Sequence, residues 1–375
     1  MFSKLVLLSL GIVGSVFADS SEEFSKLVVG RGAGTNPSSL KSRNLFAKSA
    51  FLETRKNLDS SQRKRQTAVV PAGLSTADIP RPHIGSVPYG VTITSCTAPG
   101  VVALTFDDGP SRYTRDLLDL LDSFNAKSTF FVTGLNGEPQ GIDDCATEDP
   151  ALIQRIYNSG HQLAHHTWNH PSLNGLSDTD FNNEMYWNEM ALRNILGVIP
   201  TYMRPPYLEC DDACLSRMAG LGYHVVSTDL DTQDWQYQTP ETAQTSKDIY
   251  SAGINARPSS AIVLAHDIHF QTVYNLTRHM LETTVAAGYT FATVGTCLGD
   301  APENWYRAAG SAVVCNTTTA PPAEPVVSTD GACGVRITCQ GSIYGNCCSQ
   351  WGWCGSTNDH CLSGCQTGFG TCGAV

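Results

Sequence analysis

Seven short apolar runs recur along the middle of the chain, near residues 101–106, 128–132, 161–165, 200–203, 223–228, 261–265 and 290–294. Their length and continuity are those of strands buried on both faces. Amphipathic stretches separate several of them. Thr114 to Phe124 puts Leu117, Leu118, Leu121 and Phe124 on one helical face. Asp178 to Leu196 and Gln271 to Ala287 follow a similar pattern, and Asp211-Asp212 before Ala213 marks a helix start. Alternating strands and helices predict an α/β fold around a parallel sheet, either barrel or open. In both, chemistry belongs at the C-terminal ends of the strands.

Two segments stand outside this pattern. Residues 1–18 carry Lys4, an apolar core from Leu5 to Val16 and the small-residue end Val16-Phe17-Ala18, which predicts a secretory signal peptide. That core is shorter than the roughly 20 residues of a membrane span. Residues 19–65 are polar, lack cysteine and end in Arg63-Lys64-Arg65, as a pro-segment with a dibasic processing site does. At the other end, residues 333–372 hold eight of the 14 cysteines, a density that implies a disulfide scaffold. A Pro/Thr-rich linker over 316–330 joins that end to the larger domain over 66–315. Its composition leaves the two domains free to act independently.

Charge narrows the partners. The chain has 24 Lys and Arg against 35 Asp and Glu. Without residues 1–65 the balance becomes 13 against 30, a net −17. Nucleic acid, which needs a basic footprint, is disfavoured. No membrane association is expected, because strong apolar runs are confined to the N-terminus and Gly368 to Val375 lack an apolar tail. The cysteines and the sequons at Asn275 and Asn316 predict a secreted glycoprotein, extracellular or in a cell wall, and a monomer.

The candidate chemistry sits where the strand pattern puts it. Asp107-Asp108-Gly109-Pro110 follows the first run and His165-His166-Thr167-Trp168-Asn169-His170 the third. Arg204-Pro205-Pro206-Tyr207 follows the fourth, Asp231-Thr232-Gln233-Asp234-Trp235 the fifth and His266-Asp267 the sixth. One carboxylate and two imidazoles make a three-ligand site for Zn²⁺ or a similar divalent ion, with a fourth position open. His166 and His170 are four apart, on one face of a turn; His161 and His165 have the same spacing but sit inside an apolar run. No Gly-x-Ser-x-Gly elbow occurs, which weighs against a serine hydrolase.

Thr-Phe-Asp-Asp-Gly-Pro, His-Thr-x-x-His, Arg-Pro-Pro-Tyr, Asp-x-x-Asp-Trp and Leu-Ala-His-Asp, in this order over about residues 95–298, closely resemble the NodB-like polysaccharide deacetylases of carbohydrate esterase family four. The resemblance implies a distorted (β/α) barrel of about seven strands. It implies Asp107 as general base, Asp108, His166 and His170 as ligands of one divalent ion (Zn²⁺, with Co²⁺ the alternative), and Arg204 holding Asp107. The Tyr207 N–H would serve the oxyanion, His266 would be the general acid, and Trp235 would line the cleft. Either Asp231 or Asp234 tunes His266; Asp231, nearer the strand end, is the preferred assignment. The resemblance also suggests a Cys96–Cys297 bridge. Cys210–Cys214 should close a local loop, and Cys145–Cys315 follows by elimination.

Cys347-Cys348-Ser349-Gln350-Trp351-Gly352-Trp353-Cys354, within eight cysteines, resembles a hevein-type chitin-binding module of carbohydrate-binding family 18. It makes the C-terminal domain, 331–375. The family pairing implies Cys333–Cys348, Cys339–Cys354, Cys347–Cys361 and Cys365–Cys372. Two tryptophans on so small a scaffold are poor core and good binding surface. The resemblance gives Ser349, Trp351 and Trp353 to N-acetylglucosamine units, with His360 where the family has a third aromatic. Together the two resemblances imply a metal-dependent hydrolase that deacetylates chitin or chitooligosaccharides.

Overall fold

The apolar runs do become the strands of one parallel sheet. The computed structural model describes residues 69–135, 140–310, 312, 326–329, 331–334, 337–349, 352–362 and 364–373. The expected signal peptide and pro-segment, most of the linker, and Cys315, Asn316 and Trp351 lie outside the described residues. In chain order the strands are β1 (Thr92–Ile93), β2 (Val101–Asp107), β3 (Thr129–Val132), β4 (Gln162–His165), β5 (Val198–Pro200), β6 (Tyr202–Met203), β7 (His224–Val226), β8 (Leu230–Asp231), β9 (Ala261–His266), β10 (Thr290–Phe291) and β11 (Tyr306–Ala308). Sheet order is β1-β7-β6-β4-β3-β2-β9-β8, with β10 also on β2, and every pair in it is parallel. The sheet curls into a half-barrel whose edges are β1 and β8. The run near 200–203 divides: β6 stays in the sheet, and β5 pairs antiparallel with β11.

Helices α1 (Thr114–Ser123), α2 (Asp149–Asn158), α3 (Asp178–Leu196), α4 (Asp212–Gly220), α5 (Ala243–Asn255), α6 (Thr277–Ala286) and the short α7 (Val294–Cys297) accompany the strands. Ser177 caps α3 by accepting from Asp180 N–H, and Asp211 caps α4 by accepting from Cys214 N–H. A π-turn over Thr272–Leu276 precedes α6, so the expected 271–287 helix is two elements. Among the described residues no helix is long and apolar enough to cross a membrane.

Strand parity divides the side chains into two layers. Val102, Leu104, Phe106, Phe130, Val132, Leu163, Ala261, Val263 and Ala265 face the helices, where Leu117, Leu118 and Leu121 of α1 meet them. Each fully buried leucine stabilises the fold by about 2 kcal/mol. Ala103, Phe131, Ala164, Tyr202, Val226 and Ile262 fill the barrel interior. Two residues further along these interior-facing rows lie Thr105, His166 and Arg204, and four further lie Asp107 and His266. Parity therefore aims them into the barrel mouth.

The Cys96–Cys297 and Cys210–Cys214 bridges form as expected. In the C-terminal domain Cys333–Cys348, Cys339–Cys354, Cys347–Cys361 and Cys365–Cys372 pair as the resemblance implied. That domain has β12 (Val326–Val327) parallel to β13 (Ile337–Thr338), β14 (Cys347–Cys348) antiparallel to β15 (Cys354–Gly355), and the one-turn α8 (Asn358–Cys361). Its core is Cys333, Cys339, Cys348 and Cys354 with Phe369 packed on them. Cystines replace aliphatic core in a domain too small to bury one.

The two domains, expected to be joined only by the linker, are in contact. Trp353 lies 5.3 Å, ring to ring, from Phe270 in the loop after β9. Linker composition says nothing about a docking surface between the domains it joins. The surroundings of Asn275 also differ from the exposed acceptor expected: it lies half-buried in the π-turn, its amide donating to Gln271 Oε1, with Thr277 fully buried.

Candidate metal and catalytic site

Asp107, at the end of β2, is paired in register with His266 at the end of β9. Both side chains point into the mouth from neighbouring strands. Asp108 then takes φ 74°, a left-handed conformation that turns its carboxylate toward β4. Thr167, His170, Tyr207, Leu208 and Gln233 are also left-handed. Six such non-glycine residues in the strand-end loops, each costing about 1–3 kcal/mol, concentrate backbone strain at this face.

Asp108 Oδ1 lies 3.4 Å from His166 Nε2 and 3.2 Å from His170 Nε2. The ligand atoms of all three residues fall within 4.8 Å of one another. His166 Nδ1 donates to the Arg204 carbonyl at 2.6 Å, which fixes the tautomer and leaves Nε2 a lone pair toward Asp108. Asp108 Oδ1 is buried without a hydrogen-bond partner. A buried acceptor facing two imidazole nitrogens fits a divalent cation, and the three residues form a His/Asp metal-binding site. Burial opposes charge on Asp108, but the nearby imidazoles of His170 and His266 outweigh it and hold the carboxyl well below its usual range.

The rival pair is excluded by parity. His161 and His165 occupy the helix-facing row. His165 Nε2 donates to Met185 O at 2.9 Å and its Nδ1 accepts from Thr167 N–H; His161 Nδ1 accepts from Ser128 N–H. Burial pushes both down to about 4, so they are neutral structural histidines.

Arg204 is wholly buried and packs its guanidinium 4.2 Å from the centre of the Phe131 ring. It donates to Asp107 Oδ1 at 2.7 Å, to Thr105 Oγ1 at 2.6 Å and to the carbonyls of Val226 and Ser227. With one oxygen of Asp107 held by Arg204, the other, Oδ2, faces the metal side, 3.9 Å from His166 Nε2.

The assignment of Asp231 to His266 is corrected by the structure. Asp234 Oδ1 meets His266 Nδ1 at 2.8 Å, and its Oδ2 accepts from His266 N–H at 2.7 Å and Thr272 Oγ1 at 2.6 Å. Asp231 ends β8, accepts from Gln233 N–H and directs its charge toward Arg204. The left-handed Gln233 reverses the chain and brings Asp234 back over the end of β9. Distance along the sequence favoured the wrong aspartate because the reversal is not written in the strand pattern. Burial lowers the His266 pKa, but Asp234, then Asp108 and Asp107, raise it to about 10. Burial would raise Asp234, and the paired imidazole lowers it instead. His266 keeps 14% of its side chain exposed, so the ring remains reachable.

Tyr207 is half-buried, with its ring 4.8 Å from that of His170. Trp235 is half-buried beside Asp234. In the C-terminal domain Ser349 is buried, its Oγ accepting from Trp353 N–H at 3.2 Å, and His360 packs its ring over Gly355.

Several supporting residues carried no motif signal. Glu184 of α3 accepts from the backbone N–H groups of Trp168 and Asn169 and from the Asn169 amide. Asn188, one turn on, donates to the carbonyls of Val132 and Thr167. Trp168 is fully buried and donates to Val69 O; its ring leaves no room for a Cβ at Gly134. Together they fix the loop that carries His166 and His170. Polar residues at helical spacing on the buried face of α3 were the available sign. Asp267, also buried, accepts from Thr114 Oγ1 and lies against Gly109, where a Cβ would meet its carboxylate at 2.3 Å.

Residues 94–226 match the family model described as polysaccharide deacetylase. The chain is 42% identical over 305 residues to a chitin deacetylase of Pestalotiopsis sp, covering 81% of this chain and 98% of that one. It is 46% identical over 224 residues to a chitin deacetylase of Colletotrichum lindemuthianum, covering 59% of this chain and 89% of that one. The solved structure of the chitin deacetylase from Colletotrichum lindemuthianum is similar to this chain with a TM-score of 0.56 at 45% identity, covering 59% of this chain and 97% of that one.

Proposed function

Since the chain belongs to the polysaccharide deacetylase family, we propose that it is a secreted hydrolase that removes the acetyl groups of N-acetylglucosamine units in chitin, giving chitosan and acetate. The observation that carries this reading is the convergence of Asp108, His166 and His170 beside an in-register base–acid pair, Asp107 and His266. A divalent ion held by the three ligands, Zn²⁺ by their chemistry, supplies Lewis acidity toward water and an amide carbonyl.

The chain's own residues do the rest. Asp107 takes a proton from the attacking water, while Arg204 holds its carboxylate in place and turned to the site. The Tyr207 N–H donates to the oxygen that gains charge as water adds to the carbonyl. His266, protonated through Asp234, gives its proton to the sugar nitrogen as the C–N bond breaks. The electron pair of that bond leaves on nitrogen, giving the free amine and acetate. Trp235 lines the sugar site. The C-terminal domain, with Ser349, Trp351, Trp353 and His360, holds the polymer.

Chitin is favoured over other acetylated polysaccharides by the cystine-framed domain and by the chitin deacetylases among its relatives. Acetate release from chitooligosaccharides, peptidoglycan and acetylxylan tests the choice. The largest kcat/KM is expected on chitooligosaccharides; a preference for either of the others overturns it.

A further inference from the structure

The C-terminal domain meets the catalytic domain at a defined place. Phe270 and Tyr274 follow His266 in the loop and π-turn after β9, with rings 4.5 Å apart. Tyr274 is fixed by its hydroxyl on Asp116 of α1. Against these two rings lie Gly334, Gly352 and Trp353. A Cβ at Gly352 would fall 1.9 Å from Phe270, and one at Gly334 would fall 2.9 Å from the Tyr274 hydroxyl. Both glycines allow a closeness of approach that no other residue would. Gly352 also takes φ 74°, which favours glycine independently.

The contact adjoins the reacting end of the barrel. The rings of His266 and His269 are 5.5 Å apart; His269 Nε2 lies 3.3 Å from Gln238 Nε2, which donates to the carbonyl of Trp235. Trp235, His269, Phe270 and Trp353 are each half-buried. His269 and Phe270 are neighbours in the chain, so the 5.5 Å contact of His266 with His269 and the 5.3 Å contact of Phe270 with Trp353 set the second domain beside the catalytic mouth. Partly exposed aromatic side chains offer apolar surface on which a pyranose ring can pack.

We propose that Trp353, held on Phe270, serves the catalytic cleft as a distal sugar subsite, so that one chitooligosaccharide chain is bound by both domains at once. The inference rests on the deacetylase reading above. It differs from tethering: a tether raises the local concentration of enzyme on a polymer and adds nothing on a short soluble oligomer. A docked subsite acts on any oligomer long enough to reach it.

The test uses the full chain and the ratio of kcat/KM on the N-acetylglucosamine hexamer to that on the dimer. Variants are Trp353→Ala and Phe270→Leu; the latter keeps an apolar side chain beside Tyr113 and Tyr274 while removing the ring that seats Trp353. Loss of one stacking subsite is expected to lower the ratio roughly tenfold in each variant, through KM for the hexamer. A wild-type ratio in Phe270→Leu overturns the inference, and so does a rise in dimer turnover, which would mark the docked domain as a shield. Acetate release from the dimer by the unaltered chain tests the deacetylase reading separately, so the two failures are distinguishable.

Discussion

Replacing Asp234 by Asn isolates the part of the site that the sequence placed wrongly. The substitution keeps shape and removes the charge that holds His266 protonated. With the His266 pKa at about 10, almost all of the ring carries its proton at pH 8. At the ordinary value near 6.5 only about 3% does, so Asp234→Asn should lower kcat about 30-fold at pH 8, about fourfold at pH 7 and little at pH 6. Burial, which lowers the imidazole, enlarges these ratios once Asp234 is neutral. A cation on Asp108 would offset the contributions of Asp108 and Asp107 to His266 and so reduce them, leaving that of Asp234, the largest that raises it. The sign is fixed: an acid that loses its anionic partner deprotonates earlier, so the alkaline limb moves to lower pH. The assay is kcat against pH from 6 to 10 with a chitooligosaccharide, scored by acetate. Asp231→Asn should leave that limb in place. An unmoved limb in Asp234→Asn, or a moved one in Asp231→Asn, refutes the reasoning.

Other outcomes follow from the same geometry. Asp107→Asn should retain the metal and lose kcat by about 10²–10⁴, as removal of a general base does; near-normal turnover by acetate assay removes Asp107 from that role. Glu184→Gln should weaken metal binding about 10–100-fold, because the loop carrying His166 and His170 loses a charged acceptor and one of its two acceptor oxygens, measured by competition with a chelator. Glu189 is buried, and Arg81, Thr76 and Tyr223 together hold its carboxyl low against the effect of burial. Its contribution is therefore present above the unfolded value of 4.5 and lost as pH falls through the folded one. Glu189→Ala should cost about 3–5 kcal/mol at pH 7 by denaturant melts, with a shallower acid limb, since it strands buried Arg81. Opening Cys96–Cys297, which closes 201 residues, should cost about 5 kcal/mol in the chain-entropy treatment, read from the same melts.

Much of this molecule was legible because its strands are short, apolar and bounded by chemistry-bearing residues. β2, β3, β4, β7, β9 and β10 fall on the apolar runs, and the motif residues lie at their ends. β1 and β8 were not legible: each is two residues long, and what makes them strands is pairing with β7 and β9 rather than any pattern of their own. The choice between His166 and His165 was open by spacing and is decided by which face of β4 meets α3, a tertiary fact. Asp234 was reachable only through the left-handed Gln233, a conformation that favours no particular side chain strongly enough to be read. Glu184 and Asn188 were hidden for the opposite reason. A buried polar residue on an amphipathic helix looks like an exposed one until its partner loop is known. The contact of Trp353 with Phe270 joins two segments 83 positions apart across a Pro/Thr-rich stretch, and composition describes the stretch but not what it brings together.

The central claim is that one divalent ion on Asp108, His166 and His170 makes this chain a deacetylase. Its most direct test is a titration of metal-stripped protein with Zn²⁺, recording bound metal and acetate release from a chitooligosaccharide in the same samples. The account predicts that activity rises from nothing in proportion to bound metal and levels off at one ion per chain, and that His166→Ala binds none at the same concentrations. Acetate release from the stripped protein, or full activity in His166→Ala, would contradict it.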